Sequence, residues 1–262
     1  MTQLPISTQW LINSTGQIDT NLALSVVLIF SPRTGSKGTG WLCSNQHVVT
    51  NEHVVNNASS SEIVIIFPDG KQLQPVSKIE DSDVDLAVLT LPNPVPENPL
   101  KIKIDNVDVG SKICAWGHPL GYNGPSPILS VGYVAGYSQH VSTSASAMYR
   151  RVVLNAALNP GNSGGPILVW GEDSVCGVAV TKHAPISQPL QARINALADN
   201  KSGLQFSGHD AQGVPINFSE SQIVADVLKY FQNMTQVVLG EAISSNDVVC
   251  FLNSNSIPWV QA

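Results

Sequence analysis

Charge is scarce in this chain. Only 12% of its 262 residues are Asp, Glu, Lys or Arg, and 13 basic residues against 19 acidic ones leave a formal charge of −6. No cluster of Lys and Arg is present, so nucleic acid is not an expected partner. No apolar run approaches the about 18 residues that a membrane span needs, which removes the membrane as a partner. The opening stretch MTQLPISTQWLINSTGQ has neither the basic region nor the apolar core of a secretory signal. The four cysteines, Cys43, Cys114, Cys176 and Cys250, lie far apart without the paired spacing of metal ligands. Buried free thiols are the expectation. Together with the absence of a visible signal they point to a reducing, cytoplasmic location, with secretion after removal of a signal as the alternative. No H-E-x-x-H pattern or similar metal spacing occurs, so neither a metal nor another cofactor is expected.

Turn formers and short apolar segments make up the rest. The chain holds 20 Gly and 17 Pro but only 6% aromatic residues, which suits many short strands joined by turns. SVVLIF (25–30), TGWLCS, HVVTN, EIVIIFP, KQLQPVSKIE and DLAVLTL read as strands up to residue 91. The proline-rich LPNPVPENPLKI (91–102) reads as a linker. KICAWGH, ILSVGYVAGYS, YRRVVLNAAL, PILVW and SVCGVAVT read as further strands. The length accommodates one large core or two small ones.

Three segments carry chemistry. Gly161-Asn162-Ser163-Gly164-Gly165-Pro166 is a tight turn between the apolar stretches LNAAL and PILVW. Small neighbours leave room for a carbonyl to approach the serine hydroxyl, and successive backbone N–H groups around such a turn can converge on one oxyanion. His53, in TNEHVV, stands where a strand ends, and Asp85 enters the buried-type run Leu-Ala-Val-Leu. Each feature alone is ordinary: a Gly/Pro turn, a structural histidine, a turn aspartate. Together, in the order His, Asp, Ser, they match one known arrangement of a serine triad.

The strings GTGWLCSNQHVVTNEHVV (38–55), DVDLAVLTL (83–91), CAWGHPLGY (114–122), LSVGYVAGY (129–137) and LNAALNPGNSGGPILVW (154–170) resemble the trypsin/chymotrypsin-fold serine proteases, within them the HtrA/Deg branch. The resemblance covers roughly residues 20–185, with a weaker echo in LGEAISSN (239–246) of the family's last barrel strand and closing helix. It implies an all-β fold of two six-stranded antiparallel β-barrels, here with a partly helical insertion and a short C-terminal helix. The expected division is a first barrel over 1–95 holding His53 and Asp85, and a second over 96–262 holding Ser163 and including insertion 186–235. The implied activity is serine endopeptidase on a polypeptide substrate, with Ser163 as nucleophile, His53 as base, and Asp85 fixing the imidazole. Gly161 and Ser163 supply the oxyanion N–H groups. Asp81 and Asp83 are rival carboxylates; Asp85 is preferred because it abuts the apolar run as the family's aspartate does. No cysteine flanks His53 as in secreted trypsin-like enzymes, and Val169 stands where a bridge partner for Cys114 would be.

Specificity is only partly legible. Ala157 and Leu158 before the nucleophile turn, and Val178, Ala179 and Val180 after it, are the expected substrate-binding residues. No aspartate lies among them and Asn155 stands where the family often has Asp, so small or medium aliphatic residues are the expected preference. His118 is assigned no chemistry. The chain departs from the family after VCGVAVTKH, where about fifty residues, 186–235, intervene. QPLQARINALADNKSG (188–203) reads as one helix. SESQIVADVLKYFQNM (219–234) reads as another, with Ser219 as N-cap and Gln222 three residues on. GLQFSGHDAQGVPINF reads as a polar loop between them, with 203–213 as a mobile part poised near the cleft. After the last expected strand only a short helix and IPWVQA follow, so a PDZ domain is not expected. The alternative function is a protease-fold binding or latent regulatory module whose cleft the insertion controls; an esterase using the same triad is a third reading.

Overall fold

The computed structural model describes residues 4–14, 19–141, 148–182, 188–209, 213–234 and 239–262. By its contacts the chain divides into two compact units, Met1–His183 with Val238–Ala262, and Ala184–Val237.

The first unit holds two sheets. One contains β1 (Val26–Phe30), β2 (Lys37–Ser44), β3 (His47–Thr50), β4 (Val64–Ile66), β5 (Gln72–Leu73), β6 (Ser77–Asp81) and β7 (Leu86–Thr90). Their order is β5-β4-β1-β2-β3-β7-β6. The stretch KQLQPVSKIE, read as one strand, is two, β5 and β6. Pro75 lies between them and has no N–H to give a ladder. The sheet therefore has seven strands, and among the described residues its two end strands do not pair.

The other sheet contains β8 (Lys101–Ile102), β9 (Lys112–Gly117), β10 (Ile128–Val141), β11 (Met148–Asn155), β12 (Pro166–Val169), β13 (Ser174–Lys182), β16 (Leu239–Ser244) and β17 (Val260–Gln261). Pairing of β12 with β13 closes a ring of six strands, β12-β9-β10-β11-β16-β13, with β8 and β17 added outside in parallel. The LGEAIS echo of the family is this closing strand, β16. The fold is thus mostly β, a closed six-stranded barrel and a half-barrel sheet, which matches the double-barrel fold that the resemblance implied, with seven strands in the first sheet where six were expected. A C-terminal helix, Ser245–Ser254, follows β16 and is capped by Ser244, whose Oγ accepts from the Asp247 N–H at 3.2 Å.

Period-two alternation builds three cores from these strands. In β7, Ala87 and Leu89 join the core of the first sheet, with Val27, Ile29, Leu42 and Phe67. Leu86 and Val88 face the opposite way, into a core shared by the two sheets, beside Val26, Trp41, Trp116 and Ile243. In β9, Ile113 and Ala115 line the closed barrel while Cys114 and Trp116 enter the shared core. The shared core places the loops at the ends of the two sheets against each other.

The second unit pairs α3 (Gln188–Asp199) with α4 (Glu220–Met234). The expected N-cap of α4 is present in reciprocal form. Ser219 Oγ accepts from the Gln222 N–H at 3.3 Å, and Gln222 Oε1 accepts from the Ser219 N–H at 2.9 Å. Among its described residues Ile194 of α3 and Ala225 of α4 are the buried apolar side chains. The stretch between the helices corrects the sequence reading. It is a β-hairpin, β14 (Gln205–His209) with β15 (Pro215–Ser219), rather than a loop. QFSGH and PINFS are short and polar, but their registered pairs fit: Phe206 stacks on Phe218 with centroids 6.4 Å apart, and Ser207 Oγ donates to Asn217 Oδ1 at 2.8 Å. The expected mobile part, 203–213, therefore contains a strand; residues 210–212 lie outside the described residues.

Candidate active site

Strand register brings His53 to Asp85. β3 and β7 pair antiparallel with Thr50 opposite Ala87, so the end of one meets the start of the other. His53 lies in α2 (Glu52–Val55), a single turn that follows β3, and Asp85 immediately precedes β7. The Asp85 carboxylate faces the imidazole, with Nδ1 2.9 Å from Oδ2 and 3.0 Å from Oδ1. Oδ1 also accepts from the His53 backbone N–H at 3.1 Å. The carboxylate is acceptor-only, so this geometry puts the imidazole proton on Nδ1 and leaves Nε2 with its lone pair. Asp85 itself has φ +65°, a left-handed conformation that Asp tolerates better than most side chains. Its carbonyl accepts from Asn51 Nδ2 at 2.9 Å.

The rival carboxylate Asp81 is engaged elsewhere. Its Oδ1 accepts from the Asp83 N–H at 2.9 Å and the Val84 N–H at 3.3 Å, shaping the turn that leads to Asp85.

Ser163 lies on the turn between β11 and β12. Two glycines make that turn, each at positive φ: Gly161 at +95° and Gly164 at +84°. A Cβ at Gly161 would collide with the His118 carbonyl, and one at Gly164 with the Thr39 carbonyl and Thr50 Oγ1. Only glycine fits either place. The turn is held from outside by Thr39, which is fully buried. The Thr39 N–H donates to the Ser163 carbonyl at 2.8 Å. Thr39 Oγ1 donates to the Gly161 carbonyl at 2.7 Å and accepts from the His118 N–H at 3.0 Å.

Within the turn, the N–H groups of Asn162, Gly164 and Gly165 donate to the carbonyls of Asn159, Ala179 and Asn162. Those of Gly161 and Ser163 donate to no acceptor among the described residues. They are the two N–H groups that the sequence assigned to an oxyanion. Ser163 Oγ donates to the Val180 carbonyl at 2.7 Å. The side-chain partner of His53 among the described residues is Asp85. The turn nevertheless abuts the histidine segment: a Cβ at Gly38 would meet both the Val54 side chain and, at 3.2 Å, the Ser163 carbonyl.

The five expected substrate-binding residues separate. Ala157 is exposed and Val180 half-buried. Leu158 is buried, its side chain against Gly240 of β16. Val178 belongs to the shared core and Ala179 to the barrel core. Their side chains are consumed by packing, so only their backbone is left to face a ligand. Among the described residues no group of His, Cys, Asp or Glu could hold a metal ion, and no helix is long and apolar enough to cross a membrane.

Sequence reasoning missed Thr39 and Arg151 and gave His118 no role. His118 is fully buried beside the nucleophile turn. Its Nε2 donates to the Pro125 carbonyl at 3.1 Å, and its Nδ1 has no partner among the described residues. Burial lowers it from 6.5 to about 4, so it is neutral near pH 7. The signal for Arg151 was present: a charge within the apolar strand MYRRVVLN, at 2% exposure.

A closed six-stranded barrel beside a half-barrel, with a histidine–carboxylate pair on one sheet and a glycine-framed serine on the other, defines the architecture of chymotrypsin-like peptidases. The structure of the Rv3671c protease from M. tuberculosis, in its active form, superposes with a TM-score of 0.59 at 18% identity, over 92% of this chain and 85% of that one. The sequence model for the trypsin-like peptidase domain matches residues 38–178, and the chain belongs to that family. Among its relatives, Protease Do-like 1 of Arabidopsis thaliana chloroplasts is 29% identical over 207 residues, covering 78% of this chain and 42% of that protein. Serine protease Do-like HtrA of Bacillus subtilis is 36% identical over 129 residues, covering 47% of this chain and 27% of that protein. The chain thus spans less than half the length of these relatives.

Proposed function

We propose that this chain is a serine endopeptidase working through an acyl-enzyme, with Ser163 as nucleophile, His53 as general base and acid, and Asp85 as the group that orients the imidazole. The observation that carries this reading is the Asp85 carboxylate at 2.9 Å from His53 Nδ1. It leaves Nε2 as the basic nitrogen on a histidine whose segment abuts the serine turn.

In this mechanism the Ser163 hydroxyl leaves the Val180 carbonyl and gives its proton to His53 Nε2 as Oγ attacks the scissile carbonyl. The oxyanion of the tetrahedral intermediate accepts from the Gly161 and Ser163 N–H groups, each worth about 3 kcal/mol of transition-state stabilisation in comparable sites. Collapse breaks the C–N bond, and the imidazolium proton goes to the leaving amine. Water then attacks the acyl-enzyme with His53 again as base, releasing the acid and restoring the Ser163 hydroxyl. With Ala157 exposed, Leu158 buried and no carboxylate among the expected wall residues, the preferred residue before the scissile bond is small or medium aliphatic.

Labelling of the native chain by a fluorophosphonate, abolished in Ser163→Ala, tests this reading. One observation favours a second: the hydroxyl rests on Val180 rather than on His53. A latent module would fail to label until a ligand or partner is supplied.

A further inference from the structure

Among the described residues Arg151 is the most deeply buried Lys or Arg, at 2% exposure on β11. It reaches the residue before Asp85: Nη2 donates to the Val84 carbonyl at 3.0 Å. Its Nη1 is buried with no hydrogen-bond partner among the described residues. A buried guanidinium with an unsatisfied Nη1 is costly, and an aliphatic side chain would fill the same strand position without that cost. The carboxylates whose fields reach it are Asp85, then Glu241 and Asp247.

The backbone around Asp85 is accordingly held on both sides. Arg151 grips the Val84 carbonyl and Asn51 grips the Asp85 carbonyl, across a residue whose φ is +65°. That conformation aims the carboxylate at the His53 ring.

We propose that Arg151 is a positioning residue for the Asp85–His53 pair: it anchors the Val84 carbonyl and so holds the Asp85 carboxylate aimed at Nδ1. The inference rests on the serine-peptidase reading. Arg151 touches no substrate; it acts through Asp85. A planar guanidinium fits this task better than an ammonium, whose shorter reach loosens the grip on the carbonyl.

The test uses Arg151→Met and Arg151→Lys in the full chain, each checked for a cooperative thermal melt. Two readouts are taken. The first is peptide hydrolysis, split into kcat and KM. The second is the downfield proton NMR signal of an imidazole Nδ1–H bonded to carboxylate, recorded in the Ser163→Ala background, where no turnover is needed. Arg151→Met is expected to lower kcat about 10- to 100-fold with KM within about twofold, and to lose or shift the downfield signal. Arg151→Lys should fall between it and the native chain in both. A folded Arg151→Met with native kcat and an unchanged signal overturns the proposal. Should Arg151→Met not fold, Arg151→Lys carries the test alone, and native behaviour there overturns it equally. A native chain that hydrolyses nothing, but whose downfield signal depends on Arg151, sinks the peptidase reading while the positioning role stands.

Discussion

Acid should weaken this protein through His118. The residue is fully buried, its Nδ1 has no partner among the described residues, and burial holds it at about 4 instead of 6.5. Above pH 6.5 it is neutral in the folded and unfolded chains and adds nothing to the pH dependence. As pH falls through 6.5 the unfolded chain takes up the proton and the folded chain does not, so stability drops until about pH 4. The gap between 6.5 and about 4, at about 1.4 kcal/mol per pH unit, makes that loss about 3 kcal/mol. His47, lowered by burial as well, adds a smaller loss of the same sign. His118→Gln keeps a donor for the Pro125 carbonyl and cannot titrate. Urea unfolding of both proteins between pH 7.5 and pH 4 isolates the effect, because the carboxylates contribute equally to each. The native chain should lose about 3 kcal/mol more than the variant over that range. A difference under about 1 kcal/mol would mean that the folded protein protonates His118 freely, and the reasoning from its burial would be wrong.

Thr39→Val removes the hydroxyl that ties the Gly161 carbonyl to the His118 N–H. Two buried groups lose partners, so about 2–5 kcal/mol of stability should go, read as a lower midpoint in urea at unchanged m-value. Asp85→Asn should cut kcat on the order of 10⁴-fold by allowing the wrong tautomer of His53, while Asp81→Asn should leave turnover within about tenfold; the reverse ranking in a peptide assay would assign the orienting role to Asp81. Cys43, Cys114 and Cys176 are buried, and burial pushes each thiol up to about 12, whereas Cys250 is exposed. A disulfide reagent at pH 8 should therefore modify Cys250 within minutes and the other three only on unfolding.

Much of the first unit was legible because its strands alternate cleanly and its turns are glycines with one possible place. DLAVLTL announced a strand buried on both faces, and β7 contributes to two cores. GNSGGP announced a turn, and the collisions awaiting a Cβ at Gly161 and Gly164 explain why nothing larger stands there. The features that escaped depend on partners distant in sequence. Thr39 meets Gly161 122 residues away, and Arg151 meets Val84 67 residues away. Neither contact leaves a local pattern. At Val178 and Ala179 ordinary alternation along β13 sends one side chain into each core, so closeness in sequence to the cleft did not predict exposure. The hairpin of the second unit was hidden by its polarity: QFSGH and PINFS show little apolar alternation until Phe206 is registered against Phe218.

The central claim is that Ser163 is an activated nucleophile served by His53 and Asp85. Its most direct measurement is fluorophosphonate labelling followed by peptide mapping of the modified residue. One adduct is expected, on Ser163, formed by the native chain, slowed severely in His53→Ala and Asp85→Asn, and absent in Ser163→Ala. Labelling at another residue, or at Ser163 with a rate indifferent to His53→Ala, would contradict it.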